Sequence, residues 1–283
     1  MSLKKLDLKR KVDLKNFTTI KIGGIAKYFF IAHSDDDLIN ILNSVDDYYV
    51  LGNGSNLLIK DSVISKPIIK LGKEFNYIKK NKRTIEIGAA TTLSYILKYC
   101  IKNKLGGFSK LAGIPATLGG IIFMNASAFG SELTNYLKKV EVIDRKGKIF
   151  TVKREDISFG YRTSSLKDFI ILRAYFDLPI SFNLKEEINY ILDKRYTFQE
   201  FSFPSCGCVF KNPKEKPAGL LIDLCGLKGK EKNGAQISLK HANFIINKNN
   251  AKYNDVDYLI GIIKDNVYKK FTIKLEEEIK RWS

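Results

Sequence analysis

A guanidinium on a polar loop can grip a carboxylate through two parallel N–H donors, and Arg162 in SFGYRTSSL (Ser158–Leu166) is the candidate for that chemistry. Tyr161, beside it, would line the same pocket. A second candidate group is the carboxylate run of LEEEIKRW, Glu276, Glu277 and Glu278. Read as a helix, Glu278 falls on the stripe of Leu275, Ile279 and Trp282; read as a strand, it faces away from Leu275 and Ile279. The local pattern does not choose among the three glutamates. Cys206 and Cys208, one residue apart in FPSCGCVFKNP, could join His241 of KHANFIIN around a metal, but they lack the usual CxxC pairing. No metal is expected, and a small buried thiol is the simplest reading of either cysteine.

Two glycine-bearing stretches suit binding. In Gly113–Glu132, GIPATLGGIIFMNASAFGSE, the glycines Gly113, Gly119, Gly120 and Gly130 permit positive φ and close approach of backbone to a bound group. Ile121–Met124 is apolar enough to be buried, while Asn125, Ser127 and Ser131 interrupt any steady helical or strand period. Tyr48–Asp61, YYVLGNGSNLLIKD, reads as strand, tight polar turn, strand. The N–H groups of Gly52–Asn56 can converge on a phosphate as an anion-binding nest. No helix opens after these glycines, so this is not the dinucleotide fingerprint. The Asn53-Gly54 pair equally suits a β-hairpin.

The rest of the chain must position these groups. A strand is expected over Lys21–Ala32 and a helix over Ser34–Ser44, with Ser34 as N-cap before Asp35–Asp37. Then come the hairpin at Asn53-Gly54, a strand at Pro67–Leu71 and a second hairpin turning at Asn81. Thr92–Leu105 carries Leu93, Ile96, Leu97 and Ile101 at helical spacing, with Gly106-Gly107 as its stop and Cys100 beside the stripe as a core residue. Strands follow at Lys139–Asp144, Lys148–Lys153 and Phe169–Leu178. After Pro179 the composition turns helical and charged, so the expected division is residues 1–179 and 180–283. The second part reads as helix, the loop FPSCGCVFKNP, a helix at Ala218–Leu224, strands around Gln236–Asn247 and a long helix Asn254–Lys270. Hairpins with intervening helices indicate α+β rather than a doubly wound sheet.

The order LGNGSNLLI, GIPATLGGIIFMNASAFGSE, FGYR, PSCGCVFKNP, LEEEIK resembles the UDP-N-acetylenolpyruvoylglucosamine reductase family, from NFTTIKIGG at Asn16–Gly24 to Leu275–Lys280. The resemblance implies a vanillyl-alcohol-oxidase-type FAD-binding domain followed by a smaller C-terminal substrate-binding domain. It implies non-covalent FAD held by Gly52, Asn53, Gly54, Ser55, Asn56, Leu57, Gly113, Pro115, Thr117, Gly119, Gly120, Asn125 and Gly130. It further implies NADPH as reductant and a UDP-sugar enolpyruvyl ether as substrate in peptidoglycan precursor synthesis. Arg162, Cys208 and Glu278 would be catalytic, and Tyr161, Lys211, Asn212, His241 and Lys280 would bind substrate. Cys208 stands where the family has the serine that donates a proton, and Lys280 where it often has Arg. Ala116 replaces the Gly of IPGT and Ser127 a common Gly. Phe198 replaces a basic diphosphate contact, for which Arg195 is the expected substitute. The alternative is another FAD-dependent oxidoreductase of the same superfamily, which would lack PSCGCVFKNP and the terminal carboxylates together.

Composition narrows the classes. The 283 residues give ample core for one large or two modest domains. Four cysteines in such a chain make no disulfide framework. MSLKKLDLKRK has no apolar run behind it, so no secretory leader is expected, and no segment has transmembrane length. A cytoplasmic enzyme, monomeric for preference, is the expectation. The net charge of +18 favours anionic ligands. Arg supplies only eight of the 48 basic residues and the lysines are dispersed, unlike a nucleic-acid-binding patch.

Overall fold

The computed structural model describes residues 6–126 and 133–283. The chain divides into two compact units. The first gathers Met1–Arg10, Tyr28–Asn53 and Lys66–Lys194; the second gathers Lys11–Lys27, Gly54–Ser65 and Arg195–Ser283. Each mixes helices with sheets, the α+β class expected. Among the described residues no helix is long and apolar enough to cross a membrane.

In the first unit a four-stranded sheet has the order Asp7–Lys9, Phe29–Ala32, Ile68–Leu71, Tyr49–Val50. The last three strands are parallel, and Asp7–Lys9 is antiparallel to its neighbour. Helix α1 (Asp35–Leu42) closes one face of this sheet through Leu38, Ile41 and Leu42. Ser34 caps it by accepting from the Asp37 N–H at 3.1 Å, and Asp35, Asp36 and Asp37 set negative charge at its N-terminus. The other sheet of this unit is antiparallel, in the order Ile149–Lys153, Leu137–Ile143, Ile170–Phe176, Thr84–Gly88, Ile78–Asn81. Helix α2 (Leu93–Asn103) packs Leu93, Ile96, Leu97 and Cys100 into its core. The helix ends before the expected glycine stop, because Lys104 takes the left-handed C-terminal position at φ +54°. Helix α3 (Leu118–Phe123) lies inside the glycine-rich stretch, where interrupted periodicity gave no steady element. Helix α4 (Leu184–Phe198) carries the chain from the first unit into the second.

In the second unit a sheet runs Ser205–Cys208, Phe244–Asn247, Ala235–Ile237, Glu231–Lys232, all antiparallel. Helices α5 (Ala218–Leu224) and α6 (Tyr253–Phe271) share a core with it. The expected stripe of α6 is the buried one: Val256, Leu259, Ile260, Ile263 and Val267 are at most 1 % exposed. Each such side chain contributes about 1.5–3 kcal/mol of gross burial, so packing rather than propensity holds α6 in place.

Two local expectations are overturned. Tyr49–Val50 and Leu57–Ile59 are not partners in a hairpin at Asn53-Gly54; the former pairs with Ile68–Leu71 and the latter with Lys280–Trp282, both in parallel. The intervening residues form a connection longer than a two-residue turn, and distant partners outcompete the local Asn-Gly signal. Lys21–Ala32 is likewise two short strands, Ile25–Ala26 and Phe29–Ala32, in different sheets.

Candidate active site

Within the first unit the two glycine-bearing stretches, some sixty residues apart in the chain, come together. Asn53 Nδ2 donates to the Pro115 carbonyl at 2.7 Å. A Cβ built on Gly52 would stand 3.0 Å from Thr117 Oγ1, so only glycine keeps the space between the stretches open. The Leu93 N–H donates to the Ala116 carbonyl and the Leu118 N–H to the Thr91 carbonyl, both at 2.9 Å, which pins this loop to the start of α2. Gly119 approaches Ala89 so closely that a Cβ would sit 3.2 Å from the Ala89 methyl. Gly113 holds φ +88°, whereas Ala116 keeps a negative φ, so its methyl group replaces a glycine at no backbone cost. A glycine-lined, backbone-rich recess of this kind fits a dinucleotide cofactor such as FAD. Gly130 and Ser127 lie outside the described residues.

Arg162 sits on a hairpin in the same unit. Phe159–Gly160 pairs with Thr163–Ser164, leaving Tyr161 and Arg162 as the two-residue turn, with Arg162 at φ +58°. Its guanidinium lies 5.4 Å from the Tyr161 ring centroid, and Tyr161 is half exposed. Both arms of the hairpin are tied to the segment around α3. Asn125 Nδ2 donates to the Gly160 carbonyl at 2.9 Å, and Ser164 Oγ donates to the Phe123 carbonyl at 3.0 Å. The sequence placed Asn125 with the cofactor, and nothing in its type announced this brace. Asn125→Asp should therefore set an acceptor against an acceptor and cost about 1–3 kcal/mol. Thermal melts at neutral pH should show the loss, with Asn125→Gly milder because it suits the residue's φ of +42°. An Asp variant melting with the wild type would show that the bond does not bear on the hairpin.

In the second unit Cys208 ends the strand Ser205–Cys208, which carries a bulge. Ser205 opposes Ile246 and Cys208 opposes Phe244, three steps on one strand against two on the other, with Gly207 at φ +75°. The extra residue breaks the alternation that would set Cys206 and Cys208 on one face. Cys206 is 2 % exposed and burial pushes its thiol up to about 12, while Cys208 is half-buried. Beyond Cys208 the chain is held by Asn243. Its carbonyl accepts from the Val209 N–H at 2.8 Å, and its side chain bonds both the Phe210 N–H and the Phe210 carbonyl, at 2.9 and 2.8 Å.

The carboxylate run lies alongside. The Glu278 N–H donates to the Val209 carbonyl at 2.8 Å and the Lys211 N–H to the Glu276 carbonyl at 2.9 Å, so the run is extended and antiparallel to residues 209–211. This pairing places Glu278 next to the residue that follows Cys208. It also separates the three glutamates. Glu277 is bound by Arg281, Nε to Oε2 at 2.7 Å, and by Lys264. Burial raises its pKa, but the two cations outweigh it and hold Glu277 below the usual carboxylate range. Glu276 is largely exposed and pairs with the Lys211 ammonium. Glu278 is half-buried, its carbonyl accepting from Asn56 Nδ2 at 3.1 Å while the Asn56 carbonyl accepts from Lys280 N–H at 2.9 Å. Asn56, expected at the cofactor, thus clasps the backbone on both sides of Ile279.

The remaining expected substrate contacts of this unit group around α5. Asn212 Oδ1 accepts from the Ala218 N–H at 3.0 Å. The His241 ring lies against Gly219, where a Cβ would come 3.3 Å from Cε1, and 4.7 Å from the Phe244 ring. His241 Nδ1 accepts from the Asn243 N–H at 3.2 Å, and burial holds the imidazole below its ordinary pKa. A neutral ring with its proton on Nε2 results, a donor rather than a cation. Lys280 is exposed, and Gly54 holds φ +67° with its Cα against the Phe17 carbonyl. Ser55 is half-buried and Leu57 opens the strand Leu57–Ile59. Arg195 is only 6 % exposed, with Nη1 on Gln199 Oε1 at 2.9 Å, and Phe198 is 61 % exposed. Among the described residues no group of three His, Cys, Asp or Glu is arranged to hold a metal.

The first unit thus carries glycine-bearing backbone suited to a dinucleotide cofactor, and the second, taken by itself, pairs a thiol-bearing strand end with a carboxylate segment, features of a cofactor-dependent enzyme. The profile described as "FAD binding domain" matches residues 26–153, which makes the chain a flavoprotein. The profile of the UDP-N-acetylenolpyruvoylglucosamine reductase C-terminal domain matches residues 199–282. The UDP-N-acetylenolpyruvoylglucosamine reductase of Clostridioides difficile (strain 630) is 37 % identical over 98 % of this chain and 94 % of that protein. The protein of that name from Caldanaerobacter subterraneus subsp. tengcongensis is 39 % identical over 94 % of this chain and 91 % of its own. The crystal structure of the enzyme (MurB) from Thermus caldophilus superposes with a TM-score of 0.87 at 33 % identity, covering 99 % of this chain and 100 % of that one. The chain belongs to the UDP-N-acetylenolpyruvoylglucosamine reductase family.

Proposed function

We propose that this chain reduces the enolpyruvyl double bond of UDP-N-acetylglucosamine enolpyruvate to give UDP-N-acetylmuramate, with FAD as cofactor and NADPH as reductant. The observation that carries the reading is the pairing of the Glu278 segment with the strand end that bears Cys208. That pairing brings the carboxylate segment alongside the strand end that bears the thiol, in a chain whose glycine-bearing stretches suit a flavin. Gly52, Asn53, Pro115, Thr117, Gly119 and Gly120 would hold the cofactor in the first unit. FAD bound there would supply the hydride chemistry that links NADPH to the vinyl carbon distal to the ether oxygen.

The chain's own residues manage charge and proton. As hydride adds, negative charge builds on the enolate of the substrate carboxyl group. Arg162 meets it with a planar fork of donors. An ionised Glu278 would repel that charge, so Glu278 must be protonated or share a proton to act there. The Cys208 thiol gives its proton to the carbon next to the one that received hydride, which completes the saturated lactyl ether. His241 as a neutral donor, with Tyr161, Lys211, Asn212 and Lys280, would bind the sugar nucleotide.

The test is NADPH oxidation dependent on the enolpyruvyl sugar nucleotide, by a yellow protein with flavin absorption bands. Oxygen consumption with hydroxy acids, and none with the sugar nucleotide, would replace this reading with that of a flavin oxidase. The flavin should be non-covalent: denaturation by acid or heat should release all the yellow colour to the supernatant. Colour retained on the precipitated polypeptide would overturn that part.

A further inference from the structure

We propose that Lys70 is a cofactor-binding residue whose ammonium holds the diphosphate of FAD at the Gly52-Asn53 corner. The inference rests on the flavoprotein reading above and adds to it a residue that neither glycine stretch contains. Lys70 is on Ile68–Leu71, flanked in parallel by Phe29–Ala32 and Tyr49–Val50. The Leu51 N–H still donates to the Ile69 carbonyl at 2.8 Å, and the chain then leaves the sheet at Gly52. Ligands of such sheets bind beyond the carboxyl ends of parallel strands, which is where this corner lies.

Lys70 reaches across to it, Nζ donating to the Gly52 carbonyl at 2.8 Å. An ammonium has three donors, and among the described residues this carbonyl is the sole protein acceptor that Lys70 meets. Two other partly buried cations of this unit are neutralised, Arg173 by Asp35 and Glu141 and Lys66 by Asp47, whereas Arg154 spends its donors on two carbonyls, those of Thr134 and Ile157. Among the described residues no carboxylate pairs with Lys70, and burial works against its charge. A half-buried ammonium with spare donors, beside a corner kept bare by Gly52, calls for an anion from outside the protein. The diphosphate is the anionic part of FAD, and riboflavin lacks it.

The experiment compares FAD and riboflavin, by flavin fluorescence quenching, on full-length protein freed of its flavin. For Lys70→Met the FAD Kd should rise roughly ten- to a hundredfold, the loss expected for one charge-assisted contact. Riboflavin binding should be unchanged, and Lys70→Arg should recover most of the FAD affinity. An FAD Kd within about twofold of wild type, or equal weakening of both flavins, would overturn the proposal and leave Lys70 as a pin for the Gly52 carbonyl. Should Lys70→Met not fold, the wild type decides. FAD affinity that falls with added salt while riboflavin affinity does not is the expected result; salt-independent FAD binding overturns the proposal. A wild type that bound neither flavin would instead sink the flavoprotein reading itself.

Discussion

Replacing Arg162 by lysine should leave flavin reduction by NADPH near its normal rate and slow reoxidation by the sugar nucleotide roughly a hundredfold or more. Lysine keeps the charge but not the planar pair of donors, so the loss falls on the step in which carboxylate charge grows. The backbone makes this a clean substitution. Arg162 holds φ +58°, and lysine, unbranched at Cβ like arginine, bears the same cost there, so Arg162→Lys adds no strain. Arg162→Gly is the complementary variant, since it relieves the left-handed backbone and removes the side chain. It should melt no lower than wild type and fail to turn over. Stopped-flow measurement of each half-reaction checks both variants. Equal slowing of the two half-reactions in Arg162→Lys would show that the residue shapes the hairpin or touches the flavin instead.

That a positive-φ arginine crowns a hairpin could not be read from FGYR, and the reason is general to this chain. Segments whose partners are near in sequence were readable: α1 with its Ser34 cap, α6 with its buried stripe, and the pairing of Ile78–Asn81 with Thr84–Gly88. Segments whose partners are distant were not. Leu57–Ile59 finds its partner in Lys280–Trp282, and no local pattern anticipates a parallel pairing of such separation. The same pairing clasps Glu278 through Asn56, so an error about one strand was also an error about what Asn56 does. The choice among Glu276, Glu277 and Glu278 turned on helix against strand. Helix against strand is itself a tertiary matter, answered by the extended run along residues 209–211. Ion pairs then set Glu276 and Glu277 to Lys211 and Arg281, which no spacing rule could have shown. Arg195 illustrates the converse: a basic residue near the right place in the sequence is buried on Gln199. Family resemblance nominated residues for a site; it did not say how they are braced.

Cys208→Ala should still be reduced by NADPH yet fail to turn over substrate, while Cys208→Ser should retain substantial turnover. The bulge at Gly207 leaves Cys208 half-buried at the strand end while Cys206 is sealed in the core. A thiol and a hydroxyl both carry one transferable proton on a short side chain, so serine can fill the role and alanine cannot. Only the thiolate is readily alkylated, and burial that pushes Cys206 up to about 12 keeps that residue inert. Burial also raises the Cys100 thiol and the Cys225 thiol, so neither competes well for reagent. Iodoacetamide should therefore modify the peptide bearing Cys208 first and abolish turnover in step with that modification. It should spare Cys208→Ser. Because the thiol acts after hydride has moved, the alkylated enzyme should still accept electrons from NADPH, which separates proton donation from damage to the flavin recess. Cys206→Ala serves as the control for a neighbouring thiol; it should lose stability, from the small cavity left in the core, rather than activity. Turnover of Cys208→Ala at the wild-type rate would mean that another group delivers the proton.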